Sequence, residues 1–326
     1  MYLMNISNYS GDLDKFQKDW KNVERFLEKH QLDGVELICY EEDYLDTLPR
    51  HILKGLHLKY FPTWLEFYKN DHQKVCEMFG GIEGVRQYYG GIHPQTLIDA
   101  FRDEYRSAQE FGVEYMVYHV SHVTTEHSFT RAFDYTDDDV LDATVELVNQ
   151  AFDNDSDVML LFENLWWPGL TLLDKEKAQR FLDRINYKNK GIMLDLSHLM
   201  ISNPNLKTAR EGAEYILKMI EKLGSFKEWI RGIHVNLSLP GDYLKMDHRA
   251  EYAELLKTED PFERYLKTVG HIKKIDWHVP FDHPLVKNII DLIEPEYVVF
   301  ELLAQNLEQL DGYIDIQNKA IGRGAK

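Results

Sequence analysis

Eight short apolar runs punctuate the chain, over residues 2–7, 34–40, 53–60, 113–120, 158–165, 191–198, 230–238 and 297–303. Rich in Val, Ile, Leu, Tyr and Phe, most are nearly continuous in hydrophobicity, as strands are when both faces are covered. Between them lie stretches with apolar residues at helical spacing: 14–30, 94–111, 137–152, 174–185 and 206–223. The last begins after an Asn-Pro-Asn turn and ends near Gly224, which is consistent helix punctuation. Strands alternating with helices predict a parallel α/β protein, and eight strands are the number that closes a (β/α)8 TIM barrel. An open doubly wound sheet is the competing arrangement. No Gly-rich dinucleotide fingerprint or P-loop follows any run.

Polar residues break these runs at a consistent place, their ends. LKGLH, YMVYH, VMLLFE, GIMLD, IRGIH and VVFE close on His57, His119, Glu163, Asp195, His234 and Glu301. An unpaired carboxylate or imidazole is costly to bury, so this recurrence implies one shared site at the strands' C-terminal ends. In a barrel that rim is where chemistry is built. Glu163, Asp195, His234 and Glu301 form the strongest set, and three carboxylates with one imidazole suit Zn²⁺, Mn²⁺, Co²⁺ or Mg²⁺. Any one of them alone reads as an ion-pair partner or a hydrogen-bonded histidine; their joint placement points to ligation.

Three more histidines extend the set. His57 and His119 end the neighbouring strands, and His198 follows Asp195 in a D-x-x-H. KIDWHVPFDHP contributes Asp276 and His278, which fall on one side of an extended segment. Asp247 and His248 are a rival pair; 276 and 278 are preferred because they follow an apolar approach and precede Pro280. His122 and His127, farther into the loop, read as solvent or substrate contacts.

Two connections are too long for simple loops. Residues 61–93 are aromatic and Gly-containing, and residues 239–296 carry a charged helical piece. At a barrel's active rim such excursions carry specificity or act as lids. The chain of 326 residues reads as one domain, 1–326, with a final helix after Gln305 and a basic end, GRGAK. A net charge of −18 disfavours nonspecific attraction to nucleic acid or an anionic membrane. Cys39 and Cys76 have no zinc-ligand spacing and make no disulfide framework, and Cys39 reads as a buried reduced thiol. The N-terminus shows no basic segment followed by an apolar one, and no run approaches the roughly 20 apolar residues of a membrane span. A cytoplasmic protein is the expectation.

The strand-end pattern resembles the xylose isomerase-like TIM-barrel superfamily, which includes sugar isomerases and epimerases and the endonuclease IV family (family 2 AP endonucleases). The likeness covers most of the chain as a pattern and only short segments as motifs. It implies a divalent metal cofactor, zinc or manganese foremost, with one to three ions. Glu163, Asp195, His234 and Glu301 resemble the single-metal site of ketose epimerases. All nine resemble a trinuclear zinc site: His57, His119 and Glu163 around one ion; Glu163, Asp195, His234 and Glu301 around the second; His198, Asp276 and His278 around the third. The chain departs from the endonuclease pattern where ENLWWPGL replaces a small turn, where DLSHLMIS replaces a DTCHAFAAG-like run, and after HVNLSLPGD.

Two chemistries follow. In an isomerase or epimerase, Glu163 and Glu301 move protons as general base and acid around a metal-stabilised enediolate. Trp166, Trp167, Phe61 and Trp64 then offer stacking surfaces for a sugar, although ordinary loop packing is slightly the favoured role, and Lys59 or Arg231 a phosphate contact; Lys59 and His122 complete the substrate set. In a phosphoester hydrolase, clustered ions activate water and clamp the phosphate, using all nine residues. The loop departures and the acidity slightly favour the isomerase or epimerase acting on a small carbohydrate or sugar phosphate. The alternatives are the hydrolase, on abasic DNA or a small phosphoester, and a non-catalytic metal- or carbohydrate-binding barrel. Nucleic acid is a disfavoured partner, and a homodimer through the rim loops is an open expectation.

Overall fold

The continuous apolar runs form strands because each must be covered on two sides, by an inner packed layer and by outer helices. The computed structural model describes residues 1–8, 10–39, 47–153 and 156–324. Its strands are β1 (Tyr2–Ser7), β2 (Gly34–Ile38), β3 (Leu53–His57), β4 (Tyr115–His119), β5 (Met159–Glu163), β6 (Lys190–Asp195), β7 (Ile230–Val235) and β8 (Tyr297–Phe300). They pair in parallel in sequence order and close through β1 and β8 into an eight-stranded barrel. The open-sheet alternative is therefore excluded.

Several strands end earlier than the apolar runs suggested: 53–60 stops at His57, 158–165 at Glu163 and 191–198 at Asp195. There the chain leaves the ladder to satisfy polar side chains; the Asp195 carboxylate, for example, caps a new helix, Leu196–Ile201. Tyr40, at the end of the 34–40 run, and the last two residues of GRGAK lie outside the described residues.

The outer helices are α1 (Trp20–His30), α2 (Gln95–Phe111), α3 (Asp137–Ala151), α4 (Lys175–Arg184), α5 (Ala209–Leu223), α6 (Leu285–Ile293) and α7 (Leu307–Ala320). The 14–30 stretch opens with a single 3-10 turn, Asp14–Phe16, and yields an α-helix only from Trp20, because Gln17 and Lys18 turn through the left-handed region at φ 57° and 55° and Asp19 then caps α1. Capping boxes at Thr136–Asp139 and Thr208–Glu211 start α3 and α5. No described helix is long and apolar enough to cross a membrane.

Inside the barrel, Leu3, Tyr115, Val117, Met159, Leu161, Met193, Tyr297 and Val299 pack as an inner layer. Glycines admit the larger neighbours: a Cβ on Gly55 would lie 2.2 Å from the Tyr115 ring, and one on Gly232 would lie 2.7 Å from Met193. Both long excursions leave the C-terminal ends of strands. The first carries the short helices Leu65–Tyr68, His72–Phe79 and Ile82–Tyr89; the second carries Gly241–Leu244, Arg249–Leu255 and Pro261–Ile272 before reaching α6.

Candidate metal centre

Strand periodicity positions the site. Side chains two apart share a face, so the residues above the inner layer are dictated by those within it. His57 follows Gly55, His119 follows Val117, Glu163 follows Leu161, Asp195 follows Met193, His234 follows Gly232 and Glu301 follows Val299. Register then sets His119 beside Glu163 and Asp195 beside His234.

The three remaining residues arrive by local devices. Asp195 Oδ1 accepts the His198 backbone N–H at 2.6 Å, and the single helical turn so capped brings the His198 ring back over the rim. The 276–278 segment is tied to the end of β7 by the Leu237–Val279 bridge, by Trp277 N–H to Ser238 Oγ and by Ser238 Oγ–H to Asp276 Oδ1. His278 sits at φ 48°, a strained conformation for a residue with a Cβ, which brings its Nε2 to 2.7 Å from Asp276 Oδ2.

All nine side chains converge, in three overlapping groups. His57, His119 and Glu163 offer donor atoms lying within 4.8 Å of one another; so do Glu163, Asp195, His234 and Glu301, and so do His198, Asp276 and His278. Glu163 joins the first two. Its Oε2 is 3.1 Å from His57 Nε2 and 3.3 Å from His119 Nε2, while its Oε1 is 3.2 Å from His198 Nδ1 and 3.4 Å from His234 Nδ1. His234 Nδ1 is also 3.3 Å from Glu301 Oε2, and His198 Nε2 is 3.4 Å from Asp276 Oδ2.

The electrostatics reveal a demand for positive charge. Burial disfavours the charged form of every group here. Against it, the hydrogen bond and charge of Glu163 hold His57 up at about 9, and Asp276 and Glu301 hold His278 up at about 10. His198 and His234 are likewise raised well above an ordinary imidazole, despite burial, by the carboxylates around them. Glu163 is held well below the usual carboxylate range, its burial outweighed by the neighbouring histidines. Burial, with Glu301 and Glu163 nearby, lifts Asp195 to about 7; burial drops His119 to about 3. In the metal-free chain, protons on imidazoles thus neutralise buried carboxylates, a task a divalent cation can take over. Glu163 Oε1 and His234 Nδ1 face one another buried and without a hydrogen bond, as does His119 Nδ1 elsewhere in the site. Orphaned donors and an O/N set of this kind fit a divalent ion.

Several expected substrate contacts lie elsewhere. His122 is fully buried: Nδ1 accepts the backbone N–H groups of Trp64 and Leu65, and Nε2 lies 3.0 Å from Glu66. It anchors the first excursion and has no face left for a ligand. His127 is also buried. Trp167 is packed beneath the rim with Val123, Leu165 and Ile201, Trp64 is buried with its indole N–H on Ser121 O, and Phe61 stacks on Tyr89. Of these aromatics Trp166 faces the centre, its ring 4.9 Å from that of His198. Lys59 is exposed, beside His119 in a small hollow also lined by Tyr60. Arg231 pairs with Glu296 at the start of β7, the opposite end of the barrel. Asp247 pairs with Arg249 and His248 belongs to a separate cluster, so neither joins the centre.

Three site residues escaped the sequence reading. Asn164 braces β5 against β6, accepting Asp195 N–H at 2.9 Å and donating to Asp195 O at 3.2 Å. Asn236 donates to Asp195 Oδ2 at 2.9 Å and Glu301 Oε2 at 3.1 Å. Glu36, on β2, sits buried within hydrogen-bond reach of His234. The available signal was an Asn one residue after Glu163 and two after His234, and a Glu inside the apolar run GVELI.

The profile of the xylose isomerase-like TIM barrel family matches residues 89–274, more than half of the 326 residues. Among solved structures, the chain is similar to endonuclease IV from Thermus thermophilus (14% identity, TM-score 0.52), with 99% of each chain covered. A sugar phosphate isomerase/epimerase from Parabacteroides distasonis aligns at 13% identity and TM-score 0.50, over 98% of this chain and 95% of that one. An L-ribulose 3-epimerase aligns at 10% identity and TM-score 0.51, over 99% and 94%. At these identities the likeness establishes the fold.

Proposed function

The chain belongs to the xylose isomerase-like TIM barrel family, and from that premise we propose that it is a divalent-metal-dependent hydrolase of a small phosphate ester, with a multinuclear centre held by the nine rim residues. The observation that carries this reading is the third group: the donor atoms of His198, Asp276 and His278 also lie within 4.8 Å of one another, and His198 Nδ1 is 3.2 Å from the shared Glu163. A one-metal epimerase needs the four-residue set alone and leaves that group without a task. The order of the two sequence-based expectations is therefore reversed.

Divalent ions bound there would supply a water of lowered pKa and positive charge for the phosphate oxygens. The chain's own residues do the rest. Glu163 presents one oxygen to the His57/His119 side and the other to the His198/His234 side, which suits a bridging ligand. Asn236 holds Asp195 and Glu301 in fixed orientation, as outer partners of ligands do. Trp166 walls the centre beside His198.

The substrate class follows from access and charge. The most exposed of the nine side chains, His119, is only 15% accessible, and Glu163, Asp195 and His234 are fully buried. Ligands this buried favour a substrate that enters the rim as a small molecule over a duplex docked from outside, and a net charge of −18 opposes a polyanion. A compact phosphoester meets neither obstacle.

A ketose epimerase is the second reading, supported by Glu163 and Glu301 both approaching His234 Nδ1, at 3.4 and 3.3 Å. Metal analysis of protein purified without chelator, with anomalous scattering from crystals, separates the two. Three ions, one at His198/Asp276/His278, with turnover of a phosphoester panel, support the hydrolase. One ion at the four-residue set, with turnover of a ketose panel, overturns it in favour of the epimerase. Bound metal without turnover of either panel, abasic DNA included, overturns both in favour of a binding barrel.

A further inference from the structure

Glu36 is none of the nine rim residues, yet it is fully buried inside the barrel. Its carboxylate is held below its ordinary value, burial being outweighed by His234, His57 and Tyr115 around it. Oε1 lies 3.1 Å from His234 Nε2, and Oε2 accepts the Tyr115 hydroxyl at 2.8 Å. Tyr115 reaches Glu36 from β4 across β3, past Gly55: a Cβ there would lie 2.6 Å from the Tyr115 oxygen. Four strands thus contribute to one line, from Gly55 and Tyr115 through Glu36 to His234. At its far end His234 Nδ1 is buried, without a hydrogen-bond partner, and directed at Glu163 and Glu301.

A metal-binding imidazole has one nitrogen for the ion and one N–H for a partner, and a carboxylate on that N–H fixes both the tautomer and the ring orientation. We infer that Glu36 is a positioning residue for the metal centre, holding His234 Nε2–H as a donor so that the Nδ1 lone pair is aimed at the Glu163/Asp195/Glu301 set. The inference rests on reading that set as a metal site. Tyr115 and Gly55 act one step further out, the phenol fixing the carboxylate and the glycine making room for the phenol. Glu36 also falls within 4.8 Å of donor atoms on His57 and His234, so direct ligation is the rival role. Its two oxygens are already engaged by Tyr115 and His234, which favours the outer position.

The test uses the full chain stripped with chelator and titrated with Co²⁺ alone, comparing wild type with Glu36→Gln, Glu36→Ala and Tyr115→Phe. Expected is an unchanged number of cobalt ions, a dissociation constant raised about 10-fold in Glu36→Gln and toward 100-fold in Glu36→Ala, and an altered visible cobalt spectrum. Tyr115→Phe should show a smaller change in the same direction. Glu36→Gln keeps the shape and one acceptor, so its metal-free melting temperature should stay near that of wild type; a merely structural role would leave the cobalt spectrum untouched. Wild-type affinity and spectrum in Glu36→Gln would overturn the inference while leaving the metal reading intact. Loss of one cobalt per chain would overturn it in favour of direct ligation. Failure of the wild type itself to take up cobalt would overturn the metal reading, and the inference with it.

Discussion

Two buried histidine clusters lie at the top of this barrel, and they are built on opposite principles. The rim centre gathers His57, His119, His198, His234 and His278 with carboxylates from β5, β6, the loop before α6 and the end of β8. The second, in the excursion after β7, gathers His248, Glu251 and His271, whose donor atoms also lie within 4.8 Å of one another. In the second cluster every ring nitrogen has a partner. His271 Nε2 donates to Ser128 O at 3.0 Å and its Nδ1 accepts from Tyr243 Oη at 2.8 Å. His248 Nε2 donates to Tyr243 O at 2.8 Å and its Nδ1 lies 2.7 Å from Glu251. At the rim, Glu163 Oε1, His234 Nδ1 and His119 Nδ1 have none. Proximity is common to both; unsatisfied ligand atoms and a surplus of buried carboxylates belong to the rim as a whole. Within the rim, His198, Asp276 and His278 are as well partnered as the second cluster, and what sets them apart is their link to the unsatisfied centre, His198 Nδ1 lying 3.2 Å from Glu163 Oε1.

The sharpest way to break that contrast is at Glu163. Glu163→Ala removes the residue shared by two groups and should lower metal affinity by more than the roughly 10–100-fold that loss of an outer partner costs. Catalytic turnover should fall to background. His271→Ala, measured alongside by elemental analysis, should keep the wild-type metal content. Equal metal loss in both variants would sink the distinction.

Next in size is the third rim group. Asp276→Ala combined with His278→Ala should remove one ion per chain and leave the others, checked by anomalous scattering. His278→Asn separates ligation from backbone shape, since Asn tolerates the positive φ that His278 adopts. It should lose the ion while keeping the fold, seen as an unchanged far-ultraviolet circular dichroism spectrum.

A third prediction inverts a slope. In the metal-free chain His57 at about 9 and His278 at about 10 stand above the unfolded imidazole value of ~6.5. A raised folded-state pKa stabilises fully below the unfolded value and is lost as pH climbs through the folded one. Metal-free protein should therefore lose stability from pH 6.5 up to about 10. Asp195, raised to about 7, acts in the same direction at lower pH. Metal ligation needs deprotonated imidazoles, so the stabilisation that ions add should grow over the same window. Thermal melts with and without chelator should diverge as pH rises; parallel curves would count against ligation. His271 of the second cluster contributes nothing there, because burial lowers it and its cost falls below pH 6.5.

How much of this was legible beforehand follows from what each residue needs. Six candidate ligands stood at the ends of apolar runs, where period-two strand geometry alone decides that they point inward. His198 was legible through the D-x-x-H turn. Asp276 and His278 depend on a left-handed residue and on bonds to Ser238, 38 or more positions away in the chain, and only their chemistry was visible. Glu36 was hidden because a Glu in GVELI looks like a strand residue facing solvent; its burial depends on Tyr115 and His234 from distant strands. The aromatics left two roles open. Trp64, Trp167 and His122 have substrate-binding chemistry, but the first excursion uses Trp64 and His122 for anchoring, while Trp167 is packed beneath the rim. Side chains of mixed character serve either role, and only the third dimension assigns one.

The smallest effect probes the satisfied cluster itself. Tyr243 donates to His271 Nδ1, and His271 donates in turn to Ser128 on the helix Thr125–Thr130, so the pair ties the β7 excursion to the loop after β4. Tyr243→Phe deletes one hydrogen bond and leaves Nδ1 of a buried imidazole unanswered, a cost of about 1–3 kcal/mol. The damage should remain local, read as faster amide exchange over residues 241–272 with metal content, cobalt spectrum and pH slope unchanged. His271→Gln tests the same tie from the other side, since an amide retains one donor and one acceptor and should recover part of the lost protection. If Tyr243→Phe instead freed His248 and His271 to take up an extra ion, partner satisfaction would be shown to be what keeps this cluster metal-free, and the contrast with the rim would rest on a single hydroxyl.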